Sequence, residues 1–339
     1  MSQRPYLSQR PYRPRRLWTA VLACAAVAAA GCSGPSGGGA DGGSESVGRL
    51  AIMAPADPGG GWDQTARAMA ASLEEADLVG SSQVTNVGGA GGTVGLAQLA
   101  TERSEEYLMV MGLVMVGAIE TNDSQATLAD TTPIARLTGE DEIVVVPAAS
   151  PYRTITDLVE DIRATGRAVS IAGGSAGGTD HILAALIAKD AGIPIEDLNY
   201  VAYSGGGETQ AALLGNQVSA GISGIGEYAE LVAAGELRAL AVSGAERVEG
   251  IDAPTLIESG YDVELNNWRG VVGPPNLAPE ARDRLRQLVE NLHASPAWRD
   301  QVDKNGWQDV YLAGDEFAAF LAEEQPRVRE VLVDIGLVQ

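Results

Sequence analysis

The stretch "IAGGSAGGTDH", residues 171–181, lies between an apolar run and an apolar, helix-forming segment. Gly173, Ser175 and Gly177 satisfy G-x-S-x-G, the nucleophile elbow that holds a serine on a tight strand-to-helix turn. The same letters describe a loop that presents backbone N–H groups and hydroxyls at a helix N-terminus, which suits an anion. One reading makes the chain an esterase with Ser175 as nucleophile. The other makes it a receptor that does no chemistry.

An esterase needs a histidine base, and the chain has two histidines. His181 follows Ser175 on the helix that the elbow would start, so it points poorly for that task. His293 precedes Ala294-Ser295-Pro296 at a helix end, where a cation meets the negative pole of the helix dipole. No HGGG-type oxyanion segment accompanies Ser175. Metal chemistry lacks its ligands, since there is no H-E-x-x-H and no cysteine in the body of the chain. Neither Lys189 nor Lys304 follows the glycine spacing of a P-loop. No cofactor is expected.

Composition narrows the class. Of 339 residues, 45% are hydrophobic and 20% charged, enough to bury a core. Forty-five acids against 23 bases give a net charge of −22, which repels phosphate backbones and excludes nucleic acid as a partner. The N-terminus departs from this: Arg4, Arg10, Arg13, Arg15 and Arg16 precede the uncharged stretch "LWTAVLACAAVAAAG". A basic region, a short apolar core and small residues before Cys32 make residues 1–32 a secretory signal, too short to favour a spanning helix. Ala29-Ala30-Gly31-Cys32 resembles a lipobox, so Cys32 is the expected lipidation site and a lipid anchor the only membrane attachment. The only cysteines are Cys24, inside the signal, and Cys32 itself. Residues 33–47 read as a flexible Gly/Ser tether.

Beyond the tether, short apolar strands alternate with amphipathic helices, the pattern of an α/β protein with largely parallel sheets. "RLAIMAP" opens the series, and the helix after it places Ala66, Met69, Ala70 and Leu73 on one stripe. "DEIVVVPAASP" and "NWRGVVGPP" read as crossing strands. Met109, Met111 and Met115 read as core.

Several loops share one design, in which a strand ends, glycines follow and a helix begins. They are "PADPGGGWD" (55–63), "NVGGAGGTVG" (86–95), "GGSAGGTDH" (173–181) and "YSGGGE" (203–208). Ligands of open α/β sheets bind at the carboxyl ends of strands, where such loops converge. Glycines there let a ligand reach the backbone, and helix N-termini offer positive charge to a carboxylate.

These loops resemble those of the solute-binding receptors of tripartite tricarboxylate transporters. Pro55, Pro58, Gly59, Gly60 and Asp63 match that family's P-x-x-P-G-G-x-x-D. Asn86, Gly89, Ala90, Gly91, Gly92 and Gly95 match its N-x-x-G-A-G-G-x-x-G. Ser175, Thr179 and His181 match a third loop, and Tyr203 with Gly205–Gly207 a fourth. Departures are Ala56 for the usual Phe, Ser219 for an acid, and a bulky Trp62. The resemblance covers residues 48–339.

It implies a periplasmic-binding-protein-like (type II) fold of two α/β lobes joined by crossing strands. Lobe 1 would take residues 48–145 and 268–339, and lobe 2 residues 146–267. It also implies capture of a small carboxylate between the lobes and delivery to the integral membrane subunits of a tripartite transporter. The expected ligand-binding residues are Gly59, Gly60, Gly61, Trp62, Asp63, Gly91, Gly112, Ser175, Thr179, His181, Tyr203, Gly205 and Gly206. Asp63 is expected to orient its loop more than to touch the anion, and Trp62 either caps the ligand or packs between helices. Because these loops hold no Lys or Arg, backbone N–H groups, hydroxyls and water are expected to hold the carboxylate without a salt bridge. Arg269 is the basic residue nearest the hinge. A sensing accessory for a two-component kinase is the alternative reading.

Overall fold

The computed structural model describes residues 47–203 and 206–339. Residues 1–32 with Cys32, the tether up to Ser46, and Gly205 therefore lie outside the described residues. Val47, read as the last tether residue, is buried and bridges Val79, so it belongs to the body.

The chain runs β1 (Leu50–Ala54), α1 (Gly61–Glu75), β2 (Ser82–Asn86), α2 (Thr93–Leu99), β3 (Tyr107–Gly112), α3 (Leu113–Thr121) and β4 (Thr132–Gly139). It continues as β5 (Glu142–Pro147), α4 (Ile155–Thr165), β6 (Ser170–Gly173), α5 (Thr179–Asp190), β7 (Asn199–Ala202), α6 (Gly206–Leu214), β8 (Ala220–Gly224), α7 (Ile225–Ala233) and β9 (Leu237–Val242). It closes with β10 (Arg269–Gly273), α8 (Pro279–Ala294), α9 (Pro296–Asn305), β11 (Gln308–Ala313) and α10 (Gly314–Asp334).

Two sheets result, with orders β2-β1-β3-β10-β4-β11 and β7-β6-β8-β5-β9. They share one plan. In each, the second, first and third strands run parallel, and an antiparallel strand then separates the third from the fourth. That antiparallel strand is the one that has just crossed over: β5 arrives from the first sheet and β10 returns from the second. The two crossing segments pair with each other. Glu140 N donates to Asn267 O at 3.2 Å, Asn267 N donates to Glu140 O at 2.8 Å, and Asp141 bridges Asn266.

Helices cover both faces, so the parallel strands β1 and β3 are apolar throughout, as buried parallel strands must be. Leu108, Met109, Val110 and Met111 of β3 are fully buried, and Ala66, Met69 and Leu73 of α1 are also at zero exposure. Met115, on α3, is buried in the same core. In the second sheet, Ile143 to Val146 of β5 are buried. Helix starts follow the sequence: Thr154 caps α4, Pro279 opens α8, and Ser295 caps α9 through Trp298 N at 3.1 Å. Among the described residues, no helix is long and apolar enough to cross a membrane.

Candidate ligand-binding site

A pocket lies between the two sheets, at the strand ends where the glycine loops meet. Pro55, Ala56, Gly60–Trp62, Gly89–Gly92 and Val114 form its wall on the first-sheet side. Gly174, Ser175, Gly178–Asp180, Gly206, Thr209, Ser223 and Glu227 face them from the second. Asn267 and Arg269, on the returning segment, close the floor. The floor of the pocket is thus the junction between the lobes.

The first loop is built from within. Asp63 Oδ2 accepts from Gly59 N at 3.0 Å and from Arg67 Nε at 2.9 Å, while Oδ1 accepts from Asn86 Nδ2 at 2.9 Å. The same Asn86 nitrogen donates to Ala56 O at 3.1 Å. Burial raises the Asp63 carboxyl, but these hydrogen bonds outweigh it and hold it below the ordinary value. Two motif residues far apart in sequence thereby lock the loops after β1 and β2 to each other. Trp62 is buried, and its indole packs where a Cβ on Gly92 would otherwise stand, 2.6 Å away. Gly61 is required by close approach: a Cβ there would lie 2.3 Å from Arg269 Nη2.

The Gly173–His181 loop is built the same way. Gly177 N donates to His181 Nδ1 at 3.1 Å, and the His181 ring stacks on Tyr200 at 4.1 Å. Tyr200 Oη donates to Gly174 O at 2.8 Å. Burial pushes His181 down to about 4, so it is neutral near pH 7 and acts as an acceptor that shapes the loop. His181 makes no hydrogen bond to Ser175. The Ser175 hydroxyl is half-buried, faces Gly91 across the pocket, and has no hydrogen-bond partner among the described residues.

The electrostatics differ from the neutral cradle expected from the sequence. Three backbone amides around the pocket are already taken by the protein's own acids. Gly61 N, opening α1, donates to Glu227 Oε1 at 3.1 Å. Gly226 N, opening α7, donates to Glu140 Oε1 at 2.6 Å, and Gly174 N donates to Asp180 Oδ2 at 2.6 Å. Arg269 is 2% exposed and donates through Nη2 to Glu140 Oε2, with its guanidinium 5.7 Å from the Trp307 ring centroid. A cationic side chain therefore lines the pocket from outside the glycine loops, which themselves hold no Lys or Arg. The reason is topological: β10 delivers Arg269 to the floor from a part of the chain outside every glycine loop.

Burial raises the acids around it. Glu142 stands well above the ordinary range, raised by burial and then by the charges of Asp180, Glu140 and Glu227. Asp180 rises to about 6 through burial, although hydrogen bonds from Gly174 and Glu142 pull the other way. Asn267 Nδ2 donates to Glu142 Oε1 at 2.8 Å, and Glu142 Oε2 has no hydrogen-bond partner among the described residues. Glu227 rises to about 7 through burial and the charges of Asp180 and Glu140, which the charge of Arg269 and then the nearby Ser223 hydroxyl offset in part. Its Oε2 is shut off from solvent and unpartnered among the described residues, as is Arg269 Nη1.

Of the residues singled out from sequence, Gly60, Gly61, Trp62, Gly91, Ser175, Thr179 and Gly206 line the pocket. Gly59, Asp63 and His181 stand behind it and shape its loops. Gly112 packs against β10, where a Cβ would lie 2.4 Å from Trp268 O. Tyr203 lies outside the lining, its amide donating to Gly173 O at 2.9 Å. Glu227, Asp180 and Asn267 went unnoticed in the sequence. Asp180 sits between Thr179 and His181, the two residues that the loop motif draws attention to. Glu227 follows a glycine-broken run, "AGISGIGE", that shows neither strand nor helix periodicity.

Comparison with known proteins converges on one family. The sequence model of the tripartite tricarboxylate transporter family receptor matches residues 65–337. Protein BugT of Bordetella pertussis is 26% identical over 299 residues, 85% of this chain and 89% of BugT. The fold is shared with MatC of Rhodopseudomonas palustris with bound malate, at a TM-score of 0.75 and 20% identity over 84% of this chain and 99% of MatC. It is also shared with R. palustris Rpa4515 with adipate, at 0.77 and 22% over 85% of this chain and 97% of that one.

Proposed function

The chain belongs to the tripartite tricarboxylate transporter family of receptors, and from that premise we propose that it captures a small carboxylate between its two lobes and hands it to a tripartite membrane transporter. One observation carries the reading: the glycine loops at the strand ends of both sheets converge on a single pocket whose floor is the crossing between them. Open α/β sheets bind their ligands in crevices at such strand ends. The malate and adipate held by similarly folded receptors support a carboxylate. Within the pocket, the unpartnered Ser175 hydroxyl and the cationic Arg269 are the groups suited to receive it.

On this reading residues 1–32 direct export and Cys32 carries a lipid that holds the receptor at the outer face of the membrane. The support is the basic region, the apolar core and the small residues before Cys32. The pocket is read as a binding site and Ser175 as a ligand donor, because no base reaches it among the described residues.

The test is a thermal-shift screen of mono-, di- and tricarboxylates against the purified protein. A cognate ligand at about 100 times its dissociation constant adds about 2.7 kcal/mol of stability. A saturating rise with a carboxylate, absent with the corresponding amide, is expected. Equal shifts for acid and amide, or none with any acid, would reject the reading.

A further inference from the structure

We propose that the end of α10 positions the Ser175 loop of the pocket from a distance, acting through α5. This holds whatever ligand the pocket takes. Residues Ile182 to Ala188 of α5 are all apolar, the mark of a helix covered on both faces. Strands of the second sheet cover one face. Elements of the first lobe meet α5 at each of its ends.

At its start the neighbour is α3. Thr121 Oγ1 donates to Ala176 O at 3.4 Å, and the backbones come into contact, since a Cβ on Gly117 would lie 2.1 Å from Gly177 O. At its far end the neighbour is the last turn of α10. Lys189 Nζ donates to Asp334 Oδ2 at 3.0 Å, Ile335 is 3% exposed, and a Cβ on Gly336 would lie 3.2 Å from Ile195 Cγ2. The ion pair is exposed on both sides, so the apolar contact carries the docking.

Helix α10 is itself fixed to the first lobe and to the pocket floor. Glu324 Oε1 accepts from Trp268 Nε1 at 3.0 Å, next to Arg269, and Arg329 Nε pairs with Glu120 Oε2 of α3 at 3.2 Å. One apolar core runs from β3 through Phe317, Leu321, Val328 and Leu332 of α10 into Ile182, Leu183 and Ile187 of α5. The helix α5 is thus held at its start by α3 and at its end by α10, and those two helices are tied to each other. A rigid helix carries a shift at one end to the other. Undocking Ile335 frees α5 to tilt, and the loop that leads into α5 then loses its place against α3 and Gly91.

Hydrogen exchange on the full chain tests this. Gly174 N, Gly177 N and Gly178 N are hydrogen-bonded within the loop, so their exchange reports its order. Ile335→Asp puts a charge into the docking site, whereas Ile335→Leu keeps it apolar. In the aspartate variant, residues 173–178 are expected to exchange about tenfold faster than in the wild type, while β1 and β8 change by less than about twofold. The leucine variant is expected to keep the wild-type rate. Faster exchange confined to 189–195 and 332–339 would overturn the proposal, because the docking would then be local. Equal acceleration in β1 and β8 would overturn it too, because Ile335 would then support the fold as a whole. Ile335→Ala, read in the same way, takes over if the aspartate variant does not fold. The carboxylate reading is decided separately, by the thermal-shift screen.

Discussion

Ser175 belongs to a pattern that names a nucleophile, yet its surroundings give it no partner to take a proton. His181 commits its Nδ1 lone pair to Gly177 N and its ring to Tyr200. A hydroxyl free of protein partners is a donor in waiting. Ser175→Ala is therefore expected to weaken ligand binding by about 1–3 kcal/mol, a factor of about 5 to 150, while leaving the melting temperature nearly unchanged. Calorimetry against the cognate acid measures it, and a change below twofold would remove Ser175 from the binding set. The same scale shows where sequence reading ends. Gly60, Gly61, Gly91 and Ser175 were legible because they sit in loops with a recognisable pattern. Arg269 was singled out near the hinge, but Glu227 and the meeting of the two at Gly61 were not legible, because that meeting depends on β10 returning from the second sheet and on α7 reaching across from the other lobe. No local spacing encodes that meeting.

Among the elements, α4 shows how a helix start can matter to stability without touching the pocket. Thr154 Oγ1 accepts from Asp157 N at 3.1 Å, and Asp157 Oδ2 accepts from Thr154 N at 2.9 Å, a reciprocal cap. Thr154→Ala is expected to cost about 0.5–2 kcal/mol in a urea melt and to leave ligand affinity unchanged. A loss of affinity would show that this helix is coupled to the pocket. That cap was readable in "TITDLVEDI", as was the stripe of α1. Other elements were hidden for physical reasons. The α3 segment, "LVMVGAIET", is apolar on nearly every side, because β3, the glycine loop and α10 surround it, so no stripe marks it. Strand β4 carries Pro133 and Arg136, poor signs of a central strand. Arg136 is accommodated because its guanidinium lies 4.4 Å from the Phe320 ring centroid, contributed by α10. The run before α7 hides β8 behind two glycines, Gly221 and Gly224, that admit Leu213 and Glu140 at close range.

For the molecule as a whole, the buried acids set the response to pH. Asp180 and Glu227 hold protons in the folded state up to about 6 and about 7, whereas unfolded they lose them near 4. The folded state thus binds more protons across that window, and this contribution to stability is lost as pH rises through it. His181 works in the opposite sense, adding stability as pH rises from about 4 to its unfolded value near 6.5. Above pH 6.5 the histidine adds nothing more, so the denaturation midpoint is expected to fall towards pH 8. Glu227→Gln is expected to flatten the fall. Urea melts at half-unit intervals check this, and a wild-type slope no steeper than the variant's would show that Glu227 is not its source. The shared strand plan carries a different consequence, one of time. The second sheet, β5 to β9, comes from one unbroken stretch, whereas the first waits for β10 and β11 after the whole of the second has been made. Contacts that close long loops form late, because the entropy of closure is lost before any contact is gained. The pocket floor, which needs Arg269 beside Glu140 129 residues earlier, is accordingly expected to assemble after the second sheet, and a chain stopped before β10 would have every strand of that sheet and no floor on which to hold a ligand.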